Sequence, residues 1–269
     1  MNTPREEGYD SAWWALIYDQ WNEMGDRAQR KDRELHFYQE RLKECAGPVL
    51  EAACGTGSIL LPLLSEGIDI HGLDNSTAML ARLENKARAV GVSDVGRRIA
   101  RQSMADFRYD GAFSAVIIPA SSFMMLATQE DQVACLKSIR EHLQPRGRLL
   151  LNFYIPSLAD DLLRHVVYPP REEEFGTFEH PETGRPIEVS YSKVCNLATQ
   201  TETYTWFFEY DSHTAEVPMK ARWIYKEEFQ LLLRLAGFRE WVLYGGWDCR
   251  EYEGGPDTTD AFWVATASE

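Results

Sequence analysis

Short apolar runs alternate with amphipathic stretches through the first half of the chain. Runs of strand length occupy residues 49–53, 68–74, 113–120 and 148–154, and each is followed by a stretch with helical periodicity. Parallel strands need helical crossovers, and strands that are buried on both faces are apolar throughout. The pattern therefore predicts an α/β fold, with a parallel sheet covered by helices on both faces.

The segments on either side of this alternation have a different character. An aromatic-rich helical segment comes first, and its second helix places Leu35, Tyr38 and Leu42 on one stripe. Residues 186–225 lose the helical period and contain three runs rich in β-branched and aromatic residues, which predicts an inserted antiparallel β platform. The glutamate run 172–174 is expected to be a solvated loop.

These differences divide the chain into three predicted parts. They are an N-terminal helical cap (1–46), a core (47–156 and 226–269) and the inserted platform (157–225). The last part of the core is predicted to contain an amphipathic helix at residues 226–238 and two final strands, which pair as a hairpin at the sheet edge.

Charge and cysteine usage exclude several classes of function. The 42 acidic residues outnumber the 28 basic residues and leave a net charge of −14. Such a field repels polyphosphate, so nucleic acid is not expected as a partner. Five cysteines without a CxxC spacing argue against a disulfide framework and a zinc site, and they fit a reducing cytoplasm. We recognise no signal peptide or membrane-spanning run, so we expect a cytoplasmic protein without a membrane or a metal partner.

The segment VLEAACGTG (residues 49–57) lies at the first strand-to-helix junction. Gly55 and Gly57 lack a Cβ, so a ligand can lie against the backbone there, and the next helix points free N–H groups at it. Glu51 lies at the strand tip, where it can accept hydrogen bonds from a charged or hydroxylated ligand. Asp74 follows 23 residues later, at the end of the second apolar run, where dinucleotide folds place the acid that binds the ribose hydroxyls.

Two missing features narrow the identity of the nucleoside. A dinucleotide fingerprint needs a third glycine where Leu60 stands, and no phosphate loop of the GK[ST] type is present. Glu51 would repel a phosphate but suits an ammonium or another cation. The pattern therefore favours S-adenosylmethionine, which carries an ammonium and a sulfonium and no phosphate. A nicotinamide-dependent oxidoreductase is the weaker alternative.

These motifs resemble those of the class I S-adenosylmethionine-dependent methyltransferases. VLEAACGTG is similar to the first motif of that family, with Ala53 at the position of its opening glycine. In HGLDNS, Asp74 matches the ribose-binding acid and Asn75 follows it, while Met79 stands where a side chain often packs on adenine. The resemblance implies a Rossmann-like, seven-stranded methyltransferase sheet with helices on both faces.

Three later segments extend the resemblance to about residues 45–155. RQSMADF (101–107) resembles the segment that meets the adenine edge, with Ser103 in place of the usual Asp. PASSFMML (119–126) is similar to the segment after strand four, which lines the methyl-transfer side, and LQPRGRLLLNF (143–153) resembles the turn into strand five. Before the first strand, related enzymes carry a cap over the cofactor, where aromatic side chains such as Tyr18 and Tyr38 can contact a cation.

The motifs and the resemblance together imply a set of site residues. The cofactor S-adenosyl-L-methionine, and its product S-adenosyl-L-homocysteine, are expected to contact Glu51, Ala53, Gly55, Gly57, Asp74, Asn75, Met79, Ser103, Met104, Ala120, Tyr18 and Tyr38. The acceptor is expected to contact Phe123, Tyr154, Trp206 and Arg222. No residue is indicated as a catalytic base, because methyl transfer from a sulfonium needs mainly positioning in a dry cleft.

The predicted function is methyl transfer to a small-molecule acceptor by in-line displacement in a closed cleft. The layout is closest to small-molecule N-methyltransferases of the amino-sugar N,N-dimethyltransferase kind, which favours an amine acceptor and a role in natural-product biosynthesis. Residues 119–122 differ from the [DN]PP[YF] tetrapeptide of enzymes that methylate planar nitrogens. The alternatives are an O-methyltransferase, or a cofactor-binding homologue without methyl transfer. The inserted strands also suit a homodimer contact.

Overall fold

The computed structural model describes residues 8–158, 162–166, 169–254 and 260–268. Its helices are α1 (Ala12–Asn22), α2 (Gly25–Leu42), α3 (Leu60–Ser65), α4 (Thr77–Ala89), α5 (Gln129–His142) and α6 (Lys226–Leu235). Its strands are β1 (Val49–Ala52), β2 (Ile70–Asp74), β3 (Ile99–Arg101), β4 (Phe113–Ile118), β5 (Leu143–Tyr154), β6 (Glu172–Glu179), β7 (Pro186–Asn196), β8 (Thr201–Tyr210), β9 (His213–Arg222), β10 (Glu240–Tyr244) and β11 (Asp260–Thr266).

In the described ranges, the central sheet has seven strands in the order β10-β11-β5-β4-β1-β2-β3. The pairs β1–β2, β1–β4, β2–β3 and β4–β5 are parallel, whereas β11 runs antiparallel to both β5 and β10. The predicted seven-stranded, Rossmann-like sheet is confirmed. The last two strands pair as predicted. Strand β10 is half exposed and forms the edge. Strand β11 lies between β10 and β5, where its Phe262 and Trp263 are fully buried.

The central strands are apolar because helices cover both faces. All six residues of β4 are buried, and they alternate between two clusters of core side chains. Ala115 and Ile117 pack in a cluster with α2, α3 and α4, while Val116 and Ile118 pack in a cluster with α5 and α6. This layering places the carboxyl ends of the parallel strands along one edge, where open α/β sheets bind ligands.

The inserted segment forms a four-stranded antiparallel sheet in the order β6-β7-β8-β9, which we call the platform. Its three later strands match the predicted runs, but the expected loop at Glu172–Glu174 was wrong, since these residues begin β6. Within the described ranges β6 is an edge strand that pairs with β7, so its glutamates can reach solvent without breaking the pairing. The boundaries of cap, core and platform stay a prediction.

A third apolar cluster joins the platform to the cap. Trp14 of α1 is fully buried and meets Trp206 of β8 edge-on, with ring centroids 4.7 Å apart. Phe208 and Val189 of the platform and Met79 of α4 belong to the same cluster. The aromatic residues of the cap therefore pack against the platform, over the part of the core that contains the predicted cofactor motifs.

Capping residues mark the start of α4 and the end of α6. The Ser76 side chain accepts a hydrogen bond from the Met79 N–H at 3.2 Å and starts α4 directly after β2. Gly237 follows α6 with φ +95°, a conformation that favours glycine. Within the described ranges, no helix combines the length and the apolar character that a membrane crossing requires.

Candidate active site

The loop after β1 turns through three residues with positive φ: Ala53 at +61°, Gly55 at +51° and Gly57 at +79°. The two glycines have different physical roles. A Cβ built on Gly55 would meet no atom within 4 Å, so this position borders open space. A Cβ on Gly57 would lie 2.8 Å from Leu83 Cγ, so this glycine lets the loop pack on α4. Ala53 holds a strained conformation where the family carries glycine.

Three buried carboxyl groups gather at the carboxyl edge beside this loop. Glu51 is 2% exposed, Glu34 of α2 is 5% exposed and Asp74 is 8% exposed. Burial raises the pKa of Glu51 well above its ordinary value, and the nearby Glu34 and Asp74 raise it further. Burial also raises the pKa of Glu34 to about 7, although a hydrogen bond from Ala120 N–H opposes the shift. The cluster is thus electrostatically unfavourable unless a cation joins it.

Glu51 bears most directly on the charge of the ligand that the site can hold. Its Oε2 is buried and has no hydrogen-bond partner among the described residues. A buried polar atom without a partner is costly, and a charged one more so. An ammonium placed here would satisfy Oε2 and favour the ionised form of the carboxyl group.

Asp74 connects β2 to the loop. Its Oδ2 accepts a hydrogen bond from Gly55 N–H and its Oδ1 accepts one from Ser76 N–H, both at 2.8 Å. Burial raises the pKa of Asp74, and these backbone hydrogen bonds oppose the increase. Each carboxylate oxygen can accept further hydrogen bonds, so the group remains able to bind a diol while it holds the loop.

Replacing Asp74 by alanine is expected to weaken S-adenosylhomocysteine binding by about 1 to 3 kcal/mol, because hydrogen bonds to a charged acceptor are worth that much. Isothermal titration measures the change. Asp69→Ala is the matched control, since this carboxylate just before β2 pairs with Arg98 at 2.6 Å and lies at the opposite end of the strand. Equal affinities for the wild-type protein and Asp74→Ala would contradict the ribose assignment.

The other predicted adenine-side residues differ in exposure. Asn75 and Ser103 are exposed, and the Ser103 hydroxyl accepts a hydrogen bond from Ala105 N–H at 3.2 Å. Met104 is half-buried, whereas Met79 is 1% exposed. Met79 packs against the aromatic cluster of cap and platform. The contacts of these four residues with adenine stay predictions.

The turn after β4 is strained at two successive residues. Ala120 and Ser121 have φ of +56° and +60°. Ala120 N–H donates to Glu34 Oε1 at 2.6 Å, and Ser121 Oγ accepts a hydrogen bond from Tyr154 N–H at 3.2 Å. The turn is thereby tied to α2 on one side and to the end of β5 on the other. Such strain is common at functional sites, where the surrounding structure holds it.

Both predicted cap tyrosines lie near the carboxyl cluster. Tyr38 is fully buried, and its hydroxyl donates to Asn152 Oδ1 at 3.1 Å. Burial raises the pKa of Tyr38 well above its ordinary value, and Glu34 and Glu51 add to the increase. Burial raises the pKa of Tyr18 to about 12, with opposition from Arg27 and an additional increase from Glu34 and Asp74. The structure therefore brings α1 and α2 to the site.

The predicted acceptor residues do not all lie at one site in the structure. Tyr154 lies at the end of β5, and its hydroxyl donates to Glu202 Oε1 of the platform. Trp206 is 6% exposed among platform aromatics, with a buried Nε1 that has no partner among the described residues. Phe123 is fully buried and packs edge-on against Phe229, so its described contacts lie in the core. Its substrate contact stays a prediction.

The structure does not support the predicted substrate contact of Arg222. This side chain is 5% exposed, and its guanidinium donates to Gln132 at 2.9 Å, Gln200 at 3.3 Å and Glu228 at 2.5 Å. These partners belong to α5, the β7–β8 turn and α6. Since three acceptors already share the guanidinium, Arg222 joins these elements and has a structural role.

Sequence reasoning missed several residues near the site, of which Glu34 is the clearest. It stands four positions before Tyr38, on the same face of α2, and this spacing was the available signal. Thr56, Lys193 and Glu202 were also missed. All three are buried. Thr56 and Glu202 have partners far away in sequence, Asp19 and Tyr154, so no local pattern identifies them. Lys193 pairs with Glu202 on the next strand, which only the register of the β7–β8 pairing reveals.

The residues present fit S-adenosylmethionine. The open space above Gly55 accommodates a nucleoside against the backbone, and Asp74 is placed for its ribose. The unpaired oxygen of Glu51 and the neighbouring Glu34 suit the ammonium of the methionine moiety. Burial of the carboxyl groups makes the site selective for a cation over a phosphate.

Comparisons with known proteins show which family this chain resembles. A family model described as a methyltransferase domain matches residues 49–147. A relative named as a methyltransferase is YqeM of Bacillus subtilis (strain 168), which is 30% identical over 233 residues. The match covers 86% of this chain and 83% of YqeM. A glycine/sarcosine N-methyltransferase of Parasynechococcus marenigrum (strain WH8102) is 34% identical over 140 residues, and the match spans about half of each chain (50% and 48%).

Two solved structures share the fold across nearly the whole chain. The CcbJ methyltransferase from Streptomyces caelestis superposes with a TM-score of 0.74 at 21% identity, over 97% of this chain and 99% of that one. The amino pentose methyltransferase CalS10 from Micromonospora echinaspora, solved with S-adenosylmethionine bound, has a TM-score of 0.58 at 19% identity over 100% of both chains. Since the match to YqeM extends over most of both proteins, and the methyltransferase-domain model covers the motif segments at residues 49–147, this chain belongs to the class I S-adenosylmethionine-dependent methyltransferases.

Proposed function

We propose that this methyltransferase transfers the methyl group to the nitrogen of a small-molecule amine, in a cleft between core, cap and platform. The glycine/sarcosine N-methyltransferase and the amino pentose methyltransferase named above support an amine acceptor. The acidic net charge of −14 also favours a cationic acceptor over an anionic one. An in-line displacement needs the acceptor nitrogen opposite the sulfur, on the far side of the methyl group.

One observation supports the proposal most directly: the inner face of the platform already surrounds one buried ammonium, that of Lys193. Lys193 Nζ lies 2.7 Å from Glu202 Oε2, and the two side chains are 7% and 2% exposed. The same Nζ lies 5.0 Å from the ring centroid of Tyr204, within the range of a cation–π contact. A carboxylate and an aromatic face together are the groups that stabilise an ammonium away from water.

This polar group lies beside the turn that is expected to line the methyl-transfer side. Tyr154 donates its hydroxyl to Glu202 and its backbone N–H to Ser121 in the turn after β4. The chain of hydrogen bonds thus runs from the carboxyl edge of the core to the platform. An acceptor amine bound near Tyr154 would meet the phenol that Glu202 orients, with the Trp206 indole N–H available for a hydroxyl or carbonyl oxygen.

The bound cofactor supplies the methyl group, and its sulfur keeps the electrons of the broken C–S bond. The chain itself must orient the amine, exclude water and receive a proton, because only the unprotonated nitrogen has a free electron pair for the new C–N bond. In this proposal the proton passes to the Tyr154–Glu202 pair, whose hydrogen bond supports such a transfer. The aromatic contacts between α1 and the platform help to exclude water.

The test is a methyl-transfer assay with labelled S-adenosylmethionine and paired acceptors. Amino sugars, glycine and sarcosine are each compared with the analogue in which a hydroxyl replaces the amine, and products are identified by mass spectrometry. We expect methylated amines only, with rates that rise with pH as each amine loses its proton. Tyr154→Phe should lower the rate while S-adenosylhomocysteine affinity stays unchanged, and Asp74→Ala serves as the cofactor-binding control.

The other outcomes favour the alternatives. Methylation of the hydroxyl analogues alone would make the protein an O-methyltransferase. Binding of S-adenosylhomocysteine without transfer to any acceptor of the panel would favour a cofactor-binding homologue that has lost transfer.

A further inference from the structure

We propose that Asp19 and Gln20, adjacent on α1, form a clasp that joins the cofactor loop to the platform, and that Asp19 is a positioning residue for this loop. The cofactor loop comprises residues 53–57. The proposal rests on the family assignment alone and is independent of which acceptor the enzyme methylates.

Asp19 holds the loop through Thr56, which stands between Gly55 and Gly57 and is fully buried. Thr56 Oγ1 donates to Asp19 Oδ1 at 2.7 Å. Lys86 of α4 donates to the same oxygen at 2.7 Å, and Arg82 Nε lies 3.3 Å from Oδ2. Burial alone would raise the pKa of Asp19, but hydrogen bonds from Lys86 and Thr56 lower it overall. The carboxylate is therefore ionised, and its bond to Thr56 is charge-assisted.

Gln20 holds the platform through the last residue of β6. Its Nε2 donates to Glu179 O at 2.6 Å, and Glu179 N–H donates to its Oε1 at 2.9 Å. The side-chain amide thus pairs with both backbone groups of Glu179, as a neighbouring strand would. Asp19 and Gln20 follow each other in sequence, so a movement of α1 displaces both connections together.

An open cavity of about 840 Å³ lies beside the clasp, where cap, core and platform meet. Asp19 and Gln20 line it together with Gly57 and Lys86 of the core and Phe178 of the platform. Because close packing does not join the three parts at this point, the hydrogen bonds of Asp19 and Gln20 provide the connection there.

The clasp matters because the cofactor loop is held in a costly conformation. Ala53, Gly55 and Gly57 all have positive φ, and an unanchored loop would sample other conformations. An anchor at Thr56 keeps the loop ready for the nucleoside, so less ordering is required on binding. When the loop is ordered, Asp19 holds α1 in place, and Gln20 on the same helix then holds the end of β6.

Isothermal titration with S-adenosylhomocysteine tests the anchor. We expect Asp19→Ala and Thr56→Val each to weaken binding by about tenfold, the effect of losing one charge-assisted hydrogen bond. Thr56→Ser keeps the hydroxyl and should bind like the wild type. The double variant Asp19→Ala/Thr56→Val should bind about as weakly as Asp19→Ala alone, since Asp19→Ala already removes the bond to Thr56. Asp32→Asn, which removes an exposed carboxylate of α2, is the control and should leave affinity unchanged.

Amide hydrogen exchange separates positioning from a merely structural role. In the wild type, S-adenosylhomocysteine should slow exchange at residues 177–179, and Gln20→Ala should abolish this effect while affinity changes by less than about twofold. Wild-type affinity in Asp19→Ala, or equal affinities for Thr56→Val and Thr56→Ser, would overturn the proposal. If Asp19→Ala does not fold, the two Thr56 variants still decide.

Discussion

Replacing Gly55 by valine is expected to abolish cofactor binding while the fold survives. Gly55 has φ +51°, and a Cβ there would meet no atom of the chain within 4 Å, so the added side chain projects into the space assigned to the nucleoside. We expect the affinity for S-adenosylhomocysteine to fall by roughly 100-fold or more, beyond the loss of any single hydrogen bond. The positive φ adds a stability cost of about 1 to 3 kcal/mol.

Gly67 supplies a matched control for this experiment. It also has a positive φ, of +86°, and a Cβ there would likewise meet no atom within 4 Å, but it lies in the turn between α3 and β2. Gly67→Val should therefore show a similar loss of stability in thermal unfolding and bind S-adenosylhomocysteine normally. If both variants bind alike, the crevice above Gly55 does not hold the nucleoside.

Replacing Glu51 by glutamine is expected to move stability and affinity in opposite directions. The buried carboxyl group lacks a partner for Oε2 among the described residues, so the free protein must either protonate it or leave a charge unpaired. Glutamine removes that cost and should stabilise the free protein at pH 7, because burial raises the pKa of Glu51 well above its ordinary value. The same change removes the carboxylate that we expect to meet the cofactor ammonium, and S-adenosylmethionine affinity should fall by about 10- to 100-fold.

The buried carboxyl groups should also make the stability of the free protein depend on pH, and Glu34 gives the direction of this dependence. A carboxyl group whose pKa is higher in the folded protein stabilises the fold at low pH, and this contribution is lost as pH rises from the unfolded pKa to the folded pKa. For Glu34 these values are 4.5 and about 7, which corresponds to about 3 kcal/mol lost across that window. Relative to Glu34→Gln, the free protein should therefore lose thermal stability from pH 4.5 to 7.

Cofactor binding should show the reverse trend, because a bound cation favours the ionised carboxyl groups. S-adenosylmethionine affinity should rise with pH over the same window and then level off, with protons released on binding. Calorimetry in buffers of different ionisation enthalpy measures this release. Glu34→Gln should reduce both trends, and an affinity that falls with rising pH would contradict the cation site.

The alternation of apolar runs and amphipathic stretches was sufficient to predict the core. Periodicity is a local property, and each βα unit carries its own signal in a window of about 11 to 18 residues. The platform strands β7, β8 and β9 were predictable for the same reason. Strand β6 was missed because its first residues are Glu172, Glu173 and Glu174, and an edge strand needs no apolar face at such positions.

The cofactor assignment was also within reach of the sequence. Glu51, Gly55 and Asp74 lie in short segments around two strand ends, so their spacing along the chain reports their proximity in space. Glu34 shares a face of α2 with Tyr38, but this spacing alone does not show that α2 packs over the end of β4 and places a carboxyl group on Ala120. Only that packing reveals a cluster of buried acids.

By itself, then, the sequence determined the α/β core, three of the four platform strands and the position of the cofactor loop, because each depends on residues close together in the chain. Tertiary structure decided which polar side chains serve the site. It assigned Arg222 to the joint between helices and the platform, brought Tyr154 to Glu202 and connected Asp19 to Thr56. A polar side chain takes whatever partner the packing of distant elements leaves within hydrogen-bond distance, and this cannot be inferred from its neighbours in sequence.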